Sequence, residues 1–492
     1  MSFNTKPDLL YDVNDKPPFG KLIIFAFQQL LAIISATIAV PMIVGHGLSP
    51  AAALFGAGAA TLVYLVITRF RSPMFFGSSF AFIGSMCTAF AGASSAALGY
   101  LGIIIGTSMV ALLNIGIGLL IRKFGVAWIY KILPNAVIGP IVAIIGLSLA
   151  GTAIGGIWTA IGDKTNKLGE VVQAGTNKWL CLGIAIVTLF ATMNISMFAK
   201  GLRKLIPFAI GIGIGYTISL IFTGFGYWFN NDALKVIDFT PFQNMEWYPH
   251  FTFIKAIDGF KDFNWPYLGT IALAFIPVAV CTMAEHIADH ENLSTIIGHD
   301  LLKDPGLHRT MIGDGAADFV GAFFGGVSTT SYGESLATTA LTKNASTITI
   351  LAAAIMAMVV SFIGPFNAFL STIPSCVLNA VCILLYGFIA VSGLKMLKTV
   401  NLEDNRNVFT VSVILICGIG GFVINIMLPS GNLLSITEIA CALILGIATY
   451  WFCGIKTEKP TIEYTPYDPT WETDTVITFD DKPASTDTSN EE

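Results

Sequence analysis

The stretch STTSYGESLATTALTK, residues 328–343, places the carboxylate of Glu334 between two apolar runs of the chain, residues 320–326 and 348–360. The neighbouring Ser, Thr, Gly and Tyr residues offer hydroxyl groups and an unhindered backbone. A carboxylate at bilayer depth costs about 2.5–3.5 kcal/mol on insertion scales, and irregular backbone there must be enclosed by protein or line a water-filled cavity. The stretch therefore predicts a polar site inside a membrane protein, with Glu334 binding a small polar solute.

The composition agrees with a membrane protein. Of the 492 residues, 54% are hydrophobic and 12% are charged, and the mean hydropathy is +0.74. A soluble protein carries about 25% charged residues, and apolar runs near 20 residues recur along this chain. The first 20 residues are polar and precede a run long enough to span, so we expect no cleavable signal peptide.

The C-terminal segment and the cysteines carry no signal for a site. Residues 456–492 contain ten acidic and three basic side chains and are rich in Thr and Pro, which predicts a disordered cytoplasmic tail without a specific partner. The eight Cys residues lie in apolar segments and form no CxxC pair, so we expect small core residues rather than disulfides or metal ligands. We expect neither a cofactor nor a metal.

The apolar runs predict an all-α polytopic protein of fourteen transmembrane segments, seven in each half. Two of the fourteen are interrupted by small and polar residues and lie at residues 76–92 and 327–346. The other predicted spans are residues 21–44, 51–68, 97–121, 134–154, 179–198, 205–224, 267–288, 311–327, 346–364, 373–394, 408–428 and 435–454.

Basic residues fall on alternate loops, which by the positive-inside rule predicts a multi-pass protein of the cell membrane with both termini cytoplasmic. The basic side chains that would share one face are Arg69, Arg71, Arg122, Lys123, Lys200, Arg203, Lys204, Lys303, Arg309, Lys343, Lys395, Lys398 and Arg406.

The two halves resemble each other. The third segment of each half is the interrupted one, with GSSFAF at residues 77–82 and SYGES at residues 331–335. The fifth segments open with LPNAVIGPIVAIIG (133–146) and IPSCVLNAVCILLYG (373–387). Because seven is an odd number, the second copy must be inverted, and paired interrupted segments in such repeats mark a transporter's binding site.

A second group of acids lies in MAEHIADH, residues 283–290. Glu285 and Asp289 are four residues apart, so on a helix their carboxylates share one face, and one of two neighbouring buried acids can hold a proton near neutral pH. Asp289 at the edge of the span is also compatible with an interfacial position. His286 and His290 are interpreted as packing or loop residues, with His290 past the end of the span.

Two more acids follow in GDGAADFVGAFFGG, residues 313–326. Asp314 is interpreted either as a helix cap or as a residue that takes part in proton movement, and the sequence favours neither. Asp318 is the weaker functional candidate.

The two interrupted segments predict the shape of the site. Gly333 lets a ligand approach the backbone, Tyr332 can stack or donate a hydrogen bond, and the stretch around Phe80 offers backbone N–H groups. Two short extended segments and a carboxylate pair form a flat polar slot. We expect its ligand to be a planar cyclic amide, since unpaired polar groups in such a slot reject analogues strongly.

Several motifs, taken in order, resemble the nucleobase–ascorbate transporter (nucleobase:cation symporter-2) family, and within it the bacterial uracil permeases. The resemblance covers residues 20–455. It is carried by AFQQLLAIISATIAVP (26–41), FGSSFAF (76–82), MAEHIADH (283–290), LLKDPGLHRT (301–310), TTSYGES (329–335) and LLYGFIAVSGLKML (384–397).

The resemblance implies two inverted repeats of seven segments, with short antiparallel strands in segments 3 and 10 and often a homodimer. It implies substrate binding by the carboxylates of Glu285 and Glu334, backbone contacts from Phe80 and Gly333, a pocket aromatic at Tyr332 and a pocket wall at Ala36. Proton coupling through Asp289 and Asp314 is a further hypothesis.

The resemblance also implies a division of the chain into a core domain and a gate domain, each built from two separate stretches. The core comprises residues 21–121 and 265–372, and the gate comprises residues 122–230 and 373–455. The remaining segments are an N-terminal lead (1–20), an extracytoplasmic loop (231–264) and the tail (456–492).

The chain departs from the family signature at three positions. Ser335 stands where the signature has Asn, and Ala337 where it has Gly, which changes the expected pocket geometry. Asp289 occupies the position where some uracil permeases have His. At this position the chain resembles the purine-transporting branch of the family.

The resulting hypothesis is uracil:proton symport by movement of a core domain against a gate domain, with the lipid bilayer as surroundings and no nucleic acid as partner. The alternative is a xanthine or other purine nucleobase symporter. An anion carrier of similar architecture is disfavoured by two acids in the pocket, and an enzyme by the lack of HExxH, nucleophile–base or metal-ligand patterns.

Overall fold

The computed structural model is predominantly helical. It describes residues 9–125, 128–129, 133–158, 164–165, 171–173, 175–200, 203, 206–243, 245, 247–427 and 433–454, so the predicted acidic tail lies outside the described residues.

The helices of the first half are α1 (Phe19–Val44), α2 (Pro50–Ile67), α3 (Ile83–Ala91), α4 (Ala96–Phe124), α5 (Asn135–Ser148), α6 (Ala150–Ile157), α7 (Lys178–Phe198) and α8 (Pro207–Trp228). Those of the second half are α9 (Thr240–Gln243), α10 (Thr252–Ala256), α11 (Trp265–Ile297), α12 (Leu307–Gly325), α13 (Gly333–Thr342), α14 (Thr347–Val360), α15 (Gly364–Ser371), α16 (Ser375–Leu397), α17 (Asn405–Ile419) and α18 (Glu438–Gly454). The strands are β1 (Phe76–Ser78), β2 (Lys164–Thr165), β3 (Val171–Gln173), β4 (Thr329–Ser331), β5 (Ile424–Met427) and β6 (Leu433–Ile436).

Within the described residues, eight helices are long and apolar enough to cross a membrane, or nine when α14 and α15, bent by 83°, are counted as one span. The predicted spans correspond to these helices and to α12, α17 and α18, which are shorter or more polar. The predicted span 408–428 is wrong at its end, because α17 stops at Ile419 and residues 424–427 form β5. The helix starts follow from local capping, since Ser49, Ser95 and Asn264 accept hydrogen bonds from the backbone of the first turn of α2, α4 and α11.

The two interrupted segments meet as predicted. Strand β1 pairs antiparallel with β4, with Phe76 opposite Ser331 and Ser78 opposite Thr329. A short helix follows each strand, α3 after β1 and α13 after β4. The prediction of short antiparallel strands in these two segments is therefore confirmed, and each strand leads the chain into the start of a helix.

Helices α2 and α12 contact the strands, and α4 packs against α12. An added Cβ at Gly56 of α2 would lie 2.6 Å from the Gly321 carbonyl of α12, so only glycine allows the two backbones to approach this closely. In lipid no hydrophobic effect drives helices together, so they associate through close van der Waals packing, which small residues at the contact allow. A second group of packed helices contains α5, α7, α8, α16, α17 and α18.

Residues 10–15, which we call the N-terminal strap, are bound along the end of α13. Leu10 N–H donates to the Lys343 carbonyl (2.7 Å), Ala345 N–H to the Tyr11 carbonyl (2.9 Å) and Thr347 N–H to the Val13 carbonyl (3.1 Å). Val13 is 6% exposed and packs in one cluster with Leu336 of α13. The strap therefore fixes the helix that carries Glu334.

Replacing Val13 with Asp is expected to lower the stability of the purified protein in detergent by about 2–4 kcal/mol, because it buries an unpaired charge. A thermal melt measures the effect. The matched control is Leu10→Asp, since the Leu10 side chain is 55% exposed in the same strap. Equal melting temperatures for the two variants would show that the strap does not support α13.

Candidate functional site

The candidate site lies where the β1–β4 pair meets α11 and α13. Helix α13 begins at Gly333, directly after β4, and contacts α11. The first N–H groups of a helix have no partner within it and carry partial positive charge, so this end of α13 can bind an acceptor group. Gly333 is exposed, and Glu334 in the first turn accepts a hydrogen bond from its own N–H.

Glu285 and Glu334 face the same interior space. Glu285 lies mid-way along α11 and is surrounded by protein, yet its side chain is accessible to solvent while Ala284 and His286 beside it are buried. A side chain that is deep in the fold and still accessible must line a hollow. Glu334 lies close enough for its charge to interact with that of Glu285. The structure thus brings together the two carboxylates that the sequence singled out.

Asp289 lies one turn further along α11 and contacts the strand. The Ser331 hydroxyl donates a hydrogen bond of 2.6 Å to Asp289 Oδ2. The charge of Asp289 also interacts with those of Glu285 and Glu334. Three carboxylates therefore share one region at the end of β4, and Asp289 is the one that is held by a side-chain donor.

Tyr332, which follows β4, connects this strand to β1. Its hydroxyl donates to the Ser78 carbonyl (2.8 Å), and its ring is 4% exposed and covers Gly77. The hydroxyl that was predicted to serve a ligand is therefore engaged with β1. Ala36, predicted as a pocket wall, is 1% exposed within α1.

Phe80 follows β1 and contacts a residue that the sequence analysis did not single out. Its ring packs edge-on against Tyr386 of α16, with the ring centroids 5.9 Å apart. Tyr386 is 2% exposed, and its hydroxyl interacts with the Cys382 side chain one turn earlier in α16. Tyr386 lies in the LLYGFIAVSGLKML motif, but an aromatic residue in an apolar run gives no signal of its own.

Asp314 lies well inside α12, whose N-cap residue is Gly306. The interpretation of Asp314 as a helix cap is therefore wrong. Asn114 Nδ2 donates to Asp314 Oδ2 (2.8 Å), and His286 Nδ1 lies 3.2 Å from Asp314 Oδ1. All three side chains belong to residues that are at most 2% exposed, so they form a buried polar cluster behind the hollow.

The position predicted for His290 is also wrong, because α11 continues to Ile297. The hydropathy of the chain drops near Asp289, but the helix does not end there. His290 is fully buried and its Nε2 lies 2.6 Å from the Tyr64 hydroxyl oxygen.

Asp318 stabilises the turn before β4. The Ser328 hydroxyl and the Thr329 N–H donate to Asp318 Oδ1 at 2.7 and 2.8 Å. Asp318 is thus a positioning residue for the strand.

Ser335, where the chain departs from the family signature, is buried. Its hydroxyl oxygen accepts hydrogen bonds from Gln29 Nε2 (2.6 Å) and from the Phe75 N–H (3.2 Å). The residue therefore connects α1, α13 and the approach to β1. Within the described residues of the chain, no three His, Cys, Asp or Glu side chains converge as metal ligands.

Comparisons with known proteins identify the family and the fold of the chain. A model of the Permease family (Xan_ur_permease) matches residues 20–427. The chain is 36% identical to the uracil permease of Bacillus caldolyticus, over 89% of this chain and 93% of the relative. It is 37% identical to the uracil permease of Bacillus subtilis (strain 168), over 88% of this chain and 93% of the relative.

The fold resembles that of the solved structure of SLC26A9, with a TM-score of 0.60 at 13% identity. The likeness covers 88% of this chain and 64% of that protein, so the chain spans less than two thirds of its length. At this identity the match concerns the fold alone.

Proposed function

The chain belongs to the Permease family, and on that premise we propose that it imports uracil together with a proton across the cell membrane. The observation that carries the proposal is the pair of carboxylates, Glu285 and Glu334, on two different elements around one interior hollow. The similarity to relatives named uracil permease supports the choice of substrate.

The polar groups of the hollow match those of uracil. Uracil is a flat ring with two N–H donors and two carbonyl acceptors. Ionised carboxylates accept only, whereas backbone N–H groups at a helix start donate only. We therefore place the uracil N–H groups on Glu285 and Glu334, and a carbonyl on the backbone at Gly333. Phe80 and Tyr386 would cover one side of the ring.

The proposed coupling ion is a proton, because acids crowd the site. The charges of Glu285, Glu334 and Asp289 interact with one another, and Asp314 lies behind them. Among the described residues, no basic side chain is hydrogen-bonded to these three carboxylates. Like charges in one place favour uptake of a proton, and the proton that enters with the neutral base lowers the negative charge of the site. Asp289 and Asp314 are the proposed proton-binding residues.

We further propose fourteen segments in two inverted repeats, with the core (21–121 and 265–372) moving against the gate (122–230 and 373–455). The contact of Phe80 with Tyr386 would then lie on the boundary of the two domains. Both termini would be cytoplasmic, and the assembly a homodimer. The protein would release its substrate chemically unchanged.

Binding of labelled uracil to the purified protein, with unlabelled bases as competitors, tests the substrate. Uracil is expected to compete best, and 1-methyluracil and 3-methyluracil at least about a hundredfold less well, since each lacks one N–H donor. Xanthine competing as well as uracil would favour the purine alternative. No displacement by any base would refute nucleobase binding, and a chemically altered base would indicate an enzyme.

A further inference from the structure

Basic side chains from two helices come together where α4 ends and α12 begins. Arg122 and Lys123 lie in the last turn of α4, and His308 and Arg309 lie in the first turn of α12. We call these residues the basic junction. The basic loops assign this end of both helices to the cytoplasm. The sequence places each pair on that face, but only the fold brings the two pairs, from distant parts of the chain, to one place.

The packing of the two helices sets this arrangement. Helix α4 packs along α12. An added Cβ at Gly118 of α4 would lie 2.9 Å from the His308 carbonyl oxygen, so the two backbones are close at this end. Arg122 follows Gly118 by four residues and therefore lies on the same face of α4, one turn nearer its end. The Arg122 side chain thus lies beside the first turn of α12.

The positive charges of the basic junction act on one another. Burial, and then the charges of Arg309 and Arg122, lower the pKa of His308, which precedes the predicted span 311–327. No negative charge acts on this ring from either helix. Like charges in one place repel, so an anion among these side chains would remove an unfavourable interaction that the described part of the chain leaves in place.

Other basic residues on this face already have partners. Arg71 forms an ion pair with Asp304, and Lys303 Nζ lies 3.3 Å from Asp300 Oδ2. Among the residues that the structure describes, no carboxylate lies within ion-pair distance of the lysine or the arginines of the basic junction. The positive-inside rule accounts for the presence of these charges, but not for their convergence without a counter-charge.

The surface next to the basic junction is apolar. Leu119 and Leu120 are 52% and 44% exposed, and Phe124 is 63% exposed. The two leucines precede the basic pair of α4 by three residues each, so exposed apolar and basic side chains share one face of the helix. A free phosphate ion would contact the basic groups alone. A phospholipid offers its headgroup to the basic side chains and its acyl chains to the apolar ones.

We propose that the basic junction binds the phosphate group of an anionic phospholipid in the cytoplasmic leaflet, with Arg122 and Arg309 as its main contacts. Guanidinium groups match phosphate oxygens with paired N–H donors, and basic pockets between helices on this side of a membrane bind anionic headgroups. A bound headgroup would hold the ends of α4 and α12 together. The site contains none of the proposed substrate-binding residues and does not depend on the proposed transport of uracil.

Thermal melts of the full-length protein in detergent test the site. The buffer contains no phosphate, and phosphatidylglycerol, phosphatidylcholine or inorganic phosphate is added. We expect phosphatidylglycerol, which is anionic, to raise the melting temperature by about 2–4 °C more than phosphatidylcholine, because a ligand that binds only the folded state stabilises it. Inorganic phosphate is expected to give a smaller rise. In the double variant Arg122→Gln/Arg309→Gln, the affinity for phosphatidylglycerol is expected to fall at least about tenfold and its advantage to disappear.

The matched control is the double variant Arg69→Gln/Lys395→Gln. It removes the same number of positive charges from the same face, at exposed positions outside the basic junction. We expect it to keep the full rise with phosphatidylglycerol. Native mass spectrometry gives a second readout, in which the unmodified protein and the control retain at least one more phosphatidylglycerol molecule than Arg122→Gln/Arg309→Gln. The comparison of two lipids within each variant separates lipid binding from any loss of stability.

Three results would overturn the proposal. The first is an equal melting temperature of the unmodified protein with the two lipids. The second is loss of the rise in both double variants, because the effect would then follow net charge rather than this site. The third is a rise with inorganic phosphate as large as that with phosphatidylglycerol, which would assign the site to a free phosphate. None of these measurements uses a nucleobase, so they leave the proposed transport untouched.

Discussion

Replacing Glu334 with Gln is expected to weaken uracil binding about a hundredfold and to abolish measurable uptake. The carboxylate presents only acceptors to the hollow, and each hydrogen bond to a charged group contributes about 1.5–3 kcal/mol. An amide in its place turns an NH₂ donor toward a ligand N–H in one orientation and offers an uncharged acceptor in the other. Equilibrium binding of labelled uracil and uptake by cells measure the two effects.

The same loss is expected for Glu285→Gln, because its carboxylate faces the same hollow from α11. The control variant is Glu403→Gln, which removes an exposed carboxylate in the loop before α17 and is expected to leave binding unchanged. Thermal melts of all three purified variants show whether they fold. Unchanged uptake by a folded Glu334→Gln variant would remove that residue from the site.

The sequence predicted those features of the site that a single segment encodes. Glu334 stood out because a carboxylate interrupts apolar sequence. The two interrupted segments indicated extended backbone at the site, and the family resemblance implied that they form short antiparallel strands. The positions of the long helices followed from hydropathy, although α11 extends beyond its predicted span to Ile297. In each case the physical cause, the cost of polar groups in lipid, acts locally along the chain.

The features that were missed depend on contacts between distant segments. His290 appeared to lie beyond its span because the chain becomes polar at Asp289, but α11 continues and Tyr64 and Ser72 satisfy the imidazole. Tyr386 belongs to the site because its ring contacts Phe80, which lies about 300 residues earlier in the chain.

The roles of the N-terminal strap and of Ser335 were also missed because they depend on contacts between distant segments. The strap lies within the first 20 residues, which appeared to be a simple polar lead-in, yet its backbone is hydrogen-bonded to the end of α13. Ser335 appeared to be a loss relative to the family signature, whereas its hydroxyl binds Gln29 and the Phe75 N–H. The hydrogen-bond partners of the strap and of Ser335 cannot be identified from one sequence without the fold.

Gly77→Ala is expected to destabilise the protein by at least about 1–3 kcal/mol and to remove substrate binding. Gly77 lies opposite Thr330 in the strand pair, and a Cβ there would overlap the Tyr332 ring, with Cε1 at 2.8 Å. The ring cannot move aside easily, since its hydroxyl is bound to the Ser78 carbonyl and its surroundings are closed. The strands must therefore separate, which displaces Gly333 and Glu334 at the start of α13.

Gly84→Ala is the matched control for this prediction, because Gly84 lies in α3 of the same interrupted segment and a Cβ there meets nothing within 4 Å. Alanine inside a helix is favoured over glycine by about 0.5–1 kcal/mol, so this variant is expected to melt at the same or a slightly higher temperature. Thermal melts in detergent and uracil binding compare the pair. If Gly77→Ala melted and bound like Gly84→Ala, the strands would not need close contact with Tyr332, and the geometry that sets Glu334 opposite Glu285 would have another origin.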